Sequence, residues 1–178
     1  MRKLMLLAFL CFSIPAFSQD PNKPTRSAVA GMFTYVHSSD SGVSTDFVGG
    51  DVSYTGNLTK YFALEADFSA NYWLAPINIV DAHYYTIGAG PKFTFPSGRI
   101  TPYIHVLSGL ARGTGGFLGV KLSENDLFLS PGFGVDVSVS RHFGIRAIQF
   151  DYVTMYSSNQ KRWETGTFRV GGGFVAKF

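Results

Sequence analysis

Glu164-Thr-Gly-Thr-Phe-Arg-Val-Gly-Gly-Gly-Phe-Val-Ala-Lys-Phe178 ends the chain and decides its fold class. Side chains alternate faces along a strand. Phe168, Val170, Gly172, Phe174, Ala176 and Phe178 therefore share one face, and Thr167, Arg169, Gly171, Gly173, Val175 and Lys177 share the other. One face is apolar with an aromatic end, and the other is small and charged. That pattern suits a strand lying between lipid and a wet barrel interior.

The front of the chain agrees. Met1-Arg2-Lys3 is a short basic region, and Leu4 to Ile14 is an apolar core of signal-peptide length. Ala16-Phe17-Ser18 offers small residues for cleavage before Gln19. The run is too short to cross a bilayer as a helix, which takes about 20 residues. Cys11 lies inside that core behind bulky Phe9 and Leu10, a poor context for a lipoprotein. The expected organisation is a signal peptide over residues 1–18 and an outer-membrane barrel over 19–178. The mature chain would then hold no cysteine, hence no disulfide and no thiolate chemistry. Its formal charge would fall from +3 to +1, with 13 basic residues against 12 acidic. With no Lys/Arg cluster either, nucleic acid is not an expected partner.

No later segment reaches 18 consecutive apolar residues, and long helical periodicity is absent. Stretches with period-two patterning recur instead, separated by turn chemistry. They predict eight strands, at 27–37, 45–56, 61–72, 82–95, 100–112, 127–139, 144–156 and 165–178. The connections alternate. Those at 57–60, 96–99 and 140–143 are tight, and those at 38–44, 73–81, 113–126 and 157–164 are longer. Short turns on one side and longer loops on the other define an all-β, antiparallel, up-and-down transmembrane barrel. An even strand count returns both termini to the short-turn, periplasmic side.

In the third strand Phe62, Leu64, Ala66, Phe68, Ala70 and Tyr72 oppose Ala63, Glu65, Asp67, Ser69 and Asn71. The fourth and sixth strands divide as cleanly. In the fifth, Tyr103, His105 and Leu107 share one face and Ile104, Val106 and Leu110 the other, so either could meet lipid. In the seventh, Arg146 has the parity of Ile148, Phe150 and Tyr152. A bulge near Ala147 would bring Arg146, Gln149 and Asp151 to the inside; otherwise Arg146 must snorkel.

A soluble eight-stranded barrel of lipocalin type would bury its apolar face and show its polar face to water. Three features favour lipid outside. Aromatic residues form 16% of the chain and gather near strand ends, as interfacial girdles require. The opposite face is rich in charge, hydroxyl and glycine. The terminal strand finishes on Phe178. Eight strands leave an interior just wide enough for side chains to fill. The expected interior network consists of Asp51, Glu65, Asp67, Asp136 and Asp151 with Lys92, Arg146, Arg169 and Lys177. Left unpaired, such charges cost several kcal/mol each, so salt bridges and no wide channel are expected.

Together these features resemble the small outer-membrane β-barrel family that includes the OmpA membrane domain and OmpX. The similarity covers nearly the whole mature chain. It rests most specifically on Gly134-Val-Asp-Val-Ser-Val-Ser-Arg-His-Phe-Gly-Ile-Arg146, on Asp151-Tyr-Val, and on the terminal strand. The resemblance implies insertion into the outer membrane of a Gram-negative-type bacterium by the assembly machinery, with Phe168, Phe174 and Phe178 as the matching terminal-strand signal. Phe62, Leu64 and Phe68 are expected to face lipid beside them. Unlike OmpA, the chain is expected to carry no periplasmic domain after the barrel. The resemblance implies no single activity.

Candidate chemistry is sparse. His105 and Ser108 are the one suggestive pair for a lipid-modifying hydrolase, yet three residues apart they face opposite sides of a regular strand. No two of His37, His83, His105 and His142 sit at metal-binding spacing, so no metal and no cofactor is expected. Gly113-Thr-Gly-Gly-Phe-Leu-Gly lacks the lysine and helix of a phosphate loop. Trp73, Ile77, Ile79 and Phe117 make two connections unusually apolar, which marks either contact with an outside partner or packing at the lipid headgroups. The expected function is that of a monomeric, non-enzymatic structural barrel with a plugged polar interior and interacting loops. The alternatives are a narrow ion-permeable channel and, behind it, a lipid-modifying enzyme.

Overall fold

The computed structural model describes residues 27–40, 43–73, 80–117, 120–157 and 162–178. Eight strands follow one another: β1 (Ser27–Asp40), β2 (Val43–Asn57), β3 (Phe62–Trp73), β4 (Val80–Thr94), β5 (Ile100–Phe117), β6 (Val120–Ser138), β7 (Phe143–Ser157) and β8 (Arg162–Lys177). Each pairs antiparallel with its sequence neighbours, and β8 pairs with β1 to close the barrel. Closure leaves no free edge, the condition for a sheet to cross lipid. Among the described residues no helix is long and apolar enough to cross a membrane.

The tight connections sit at the end where β1 starts and β8 stops. Two are built alike. Leu58 and Thr59 donate their amides to the carbonyl of Phe62, and Val139 and Ser140 donate theirs to that of Phe143. The Thr59 and Ser140 hydroxyls then accept the amides of Phe62 and Phe143. Between β4 and β5, Gly98 turns the chain at φ 61°, a left-handed conformation that suits glycine.

The opposite end differs from expectation. The stretches at 38–44 and 113–126, expected as loops, are mostly strand. β1 and β2 stay paired to Asp40 and Val43, and β5 and β6 stay paired to Phe117 and Val120. β5 and β6 run 18 and 19 residues, whereas about 9–11 tilted residues cross the hydrocarbon. The surplus exceeds what the hydrocarbon needs and forms an extended ladder, with β4 also paired to β5 as far as Val80 and Phe117. Glycine and polar composition conceals such a ladder, because strand propensity reflects side-chain packing rather than backbone preference.

The outer surface is apolar in layers. Phe33, Val52, Phe68, Ile87, Ile104, Phe133 and Ile148 point away from the interior and are exposed. Tyr54, Tyr61, Phe93, Phe95, Phe143, Phe174 and Phe178 lie toward the terminal end, and Tyr35, Tyr72, Trp163 and Phe168 toward the other. Aliphatic and phenyl groups between two aromatic girdles match the layers of a bilayer. Phe62 and Phe93 meet across β3–β4, and Phe143 stacks on Phe174 across β7–β8.

The fifth strand settles one way. Tyr103, His105 and Leu107 are buried inside, and Ile104, Val106 and Leu110 are exposed outside. In β7 the ladder skips a residue: Val135 pairs with Ile148 and Asp136 with Arg146, leaving Ala147 extra. This bulge resets the parity, so Arg146, Gln149 and Asp151 all point inward.

Candidate functional site: the barrel lumen

The lumen has three levels from the terminal end upward. The lowest is an open vestibule with a volume of about 870 Å³. Lys92, Asp136 and Arg146 form its floor, and Lys177 lines its wall. Arg146 grips Asp136 with two bonds, Nε to Oδ1 at 2.9 Å and Nη2 to Oδ2 at 3.3 Å. Lys177 donates to the Ser138 hydroxyl at 2.6 Å.

The middle level is an ionic network with almost no solvent exposure. Lys92 Nζ donates to Glu65 Oε1 at 3.0 Å and sits 3.9 Å from the centre of the Tyr103 ring. The guanidinium of Arg146 lies 4.8 Å from that ring, 3.5 Å from Glu65 Oε1, and donates to Gln149 at 2.8 Å. Tyr103 donates its hydroxyl to Gln149 at 2.7 Å. Arg169 joins Asp151 at 2.8 Å, Asp51 at 3.2 Å and Asp67 at 3.3 Å. Two residues connect the halves. Gln149 donates to Asp151 at 2.9 Å. His105 spans the gap, with Nδ1 2.8 Å from Glu65 and Nε2 2.6 Å from Asp151.

Each ring nitrogen of His105 thus faces a carboxylate oxygen, an acceptor when ionised. Only the doubly protonated imidazolium can donate to both. A charged His105 therefore completes an ionic bridge from Glu65 to Asp151. Glycines make room for this network. A Cβ on Gly132 would collide with Asp151 and His105, and one on Gly134 with Tyr103.

The top level joins an apolar cluster to a polar chain, whereas the sequence expectation was a polar interior. Leu107, Ala111, Phe128 and Val153 form a buried apolar cluster, flanked by Tyr84 and Met155. Phe47 packs against Tyr84 with ring centres 6.4 Å apart. Across the lumen, Thr34 donates to Asn71, Asn71 donates to Ser69, and Ser69 meets Thr86. At the junction with the ionic level, Asp51 Oδ1, Asp67 Oδ2, Arg169 Nη2 and Tyr84 Oη have no protein partner among the described residues.

The nine charged residues expected inside divide between two levels. Asp51, Glu65, Asp67, Lys92, Arg146, Asp151 and Arg169 come together in the buried network, whereas Asp136 and Lys177 border the vestibule. Tyr103 and His105 were missed. The two faces of the fifth strand are equally apolar, and the signal that separates them is the set of carboxylates on strands far away in sequence. His105 and Ser108 are divided by the barrel wall, His105 inside and Ser108 on the outer surface. Trp73 is the last residue of β3 rather than the first of a loop. β3 continues without a bulge past Asn71, so Trp73 keeps the parity of the lumen and pairs in register with Phe47. Phe117 lies at the ladder tip opposite Val120, and Ile77 and Ile79 fall outside the described residues. Among the described residues no group of three His, Cys, Asp or Glu side chains is arranged to hold a metal ion.

A closed eight-stranded barrel, apolar outside and charged within, is a small transmembrane barrel of the bacterial outer membrane. A family model agrees: residues 4–175 match the outer membrane protein beta-barrel domain, and the chain belongs to that family. Among solved structures it is similar to the Neisserial surface protein A (NspA), with a TM-score of 0.71 at 16% identity over 86% of this chain and 98% of that one. Ail, the attachment invasion locus protein of Yersinia pestis, gives 0.59 at 16% identity over 86% and 99%. The N-terminal β-barrel domain of Pseudomonas aeruginosa OprF gives 0.56 at 14% identity over 88% and 100%. At these identities the likeness concerns the fold. No curated protein matches the chain.

Proposed function

We propose that the protein is a non-conducting, non-enzymatic structural barrel of the outer membrane that meets outside partners through the projecting β5–β6 ladder. Residues 1–18 serve as a removable signal peptide. Residues 19–178 are inserted by the outer-membrane assembly machinery as a monomer, with Phe168, Phe174 and Phe178 as the recognised strand face. The observation that carries this reading is the continuity of the lumenal network. Glu65, His105, Asp151 and Arg169 are joined by contacts of 2.6–2.8 Å and are almost wholly buried. Ion passage would have to break those bonds and then cross the Leu107–Phe128–Val153 cluster. Desolvating an ion in such surroundings costs several kcal/mol.

The deciding measurement is single-channel conductance of the refolded chain in a planar bilayer, with insertion verified separately. Silence supports the plugged barrel. Reproducible steps altered by Glu65→Gln or Arg169→Gln would make the interior an ion pathway and overturn it. The ladder is tested by shortening it between Gly113 and Glu124, which are register partners. Loss of cell-surface or matrix binding with unchanged folding supports a contact role.

A further inference from the structure

The vestibule at the terminal end has a chemistry that a mere gap between turns does not need. Among its lining residues Lys60, Lys92, Arg146 and Lys177 are cationic and Asp136 alone is acidic. Pairing cancels part of this: Asp136 is held by Arg146, and Lys92 is held by Glu65 beneath the floor. Lys60 and Lys177 remain. Lys177 Nζ is bonded to a hydroxyl, and Lys60 Nζ lies 5.3 Å from the Tyr61 ring centre. Neither has a carboxylate partner among the described residues. The three turns at this end, residues 58–61, 95–99 and 139–142, carry Lys60, Arg99, Arg141 and His142 and no Asp or Glu. A concave mouth rimmed by one sign of charge focuses its field and draws in ligands of the other sign. Between the ammonium groups the wall is hydroxylated by Thr55, Thr59, Thr94 and Thr101. The volume lies within the usual range for small-molecule sites, about 300–1,000 Å³.

We propose that this vestibule binds a small periplasmic anion bearing several hydroxyl groups, of the class of phosphorylated saccharides. The phosphate would sit between Lys60 and Lys177, and the ligand hydroxyls would meet the threonine wall. Lys92 and Arg146 are committed to Glu65 and Asp136, so they set a positive floor and do not need to move. The site is independent of the β5–β6 ladder and of whether the lumen conducts.

The test is titration of the isotope-labelled refolded chain, in nanodiscs of zwitterionic lipid, with glucose 6-phosphate, glucose and inorganic phosphate. The expected result is saturable movement of the Thr59, Thr94 and Thr101 amide signals with glucose 6-phosphate, at lower concentration than with glucose or phosphate. Lys60→Gln with Lys177→Gln should weaken that binding about a hundredfold, one decade for each of the two lost charge contacts of about 1.4 kcal/mol. An unchanged amide spectrum away from the vestibule shows that the double variant is folded. Arg112→Gln, at the other end of the barrel, should bind as the parent does. No movement up to about 10 mM, where binding would be worth less than about 3 kcal/mol, would overturn the proposal. So would equal binding by the double variant, or equal affinity for inorganic phosphate alone.

Discussion

His105 Nε2 lies 2.6 Å from Asp151 Oδ1, while the other ring nitrogen is held by Glu65, so one imidazole joins two ionic clusters that are otherwise linked through the neutral amide of Gln149. Below it stand Lys92, Glu65, Arg146 and Asp136; above it stand Asp151, Arg169, Asp51 and Asp67. Removing one partner of a buried ion pair is strongly destabilising, because the other charge stays buried. His105→Leu should therefore lower the unfolding free energy in lipid vesicles by about 3–5 kcal/mol, read from urea titration of tryptophan fluorescence. Nitrogen-detected NMR of the parent at neutral pH should show protons on both ring nitrogens. A neutral ring would leave one of the two ring contacts without a donor.

The lipid belt gives a second expectation. Phe68 faces outward at mid-strand with Ile87 as its cross-strand neighbour. Phe68→Arg should cost about 2–4 kcal/mol if the site is at the bilayer midplane. An unchanged refolding midpoint in lipid would remove Phe68 from the belt.

Ala147 is the extra residue of the β7 bulge. Deleting it leaves Arg146 and Gln149 two residues apart, so strict alternation keeps Arg146, Gln149 and Asp151 all inward. The deletion variant should therefore still fold in detergent and keep the heat-modifiable gel band. Loss of that band would make the bulge itself, and not only the facing it sets, a requirement for folding.

Gly132 admits the closest approach of His105 to Asp151. Gly132→Val forces bulk into that contact and should cost about 1–3 kcal/mol, the usual cost of overpacking. Gly31 has open space around its Cβ position, so Gly31→Ala should be tolerated within about 0.5 kcal/mol. The comparison uses the same urea titration.

Shortening the β5–β6 ladder should leave the barrel intact. Its end lies beyond the residues needed to span the hydrocarbon, and the lumenal network lies below it. Removing residues 114–123 should change the unfolding free energy by no more than about 0.5 kcal/mol, as for changes away from buried features. A large loss would make the ladder part of the folding core.

The sequence was most legible where the two faces differ in kind. Phe68 against Glu65 and Asp67, or Phe174 against Arg169 and Lys177, states the facing of β3 and β8 without a partner strand. It was least legible where both faces are apolar. Tyr103 and His105 look like Ile104 and Val106 until the carboxylates of β3 and β7 are known to point at them. Such pairing is a property of closure, not of any one strand. The top of the lumen was hidden for a related reason. Phe128, Leu107 and Val153 come from three strands and become a layer only when the barrel brings them together. The turns at the terminal end were readable because Thr59, Gly98 and Ser140 carry their own local chemistry.

The vestibule ends at Lys92 and Arg146, well short of the opposite mouth, so the barrel is a blind well rather than a tube. A reagent confined to the periplasm could label a cysteine placed at Ala28, which lines the vestibule and is half-buried. The same reagent applied outside the cell would find Leu107 and Phe128 in its way. The two surfaces of the membrane therefore see chemically different proteins, one with an accessible charged interior and one with a sealed apolar crown.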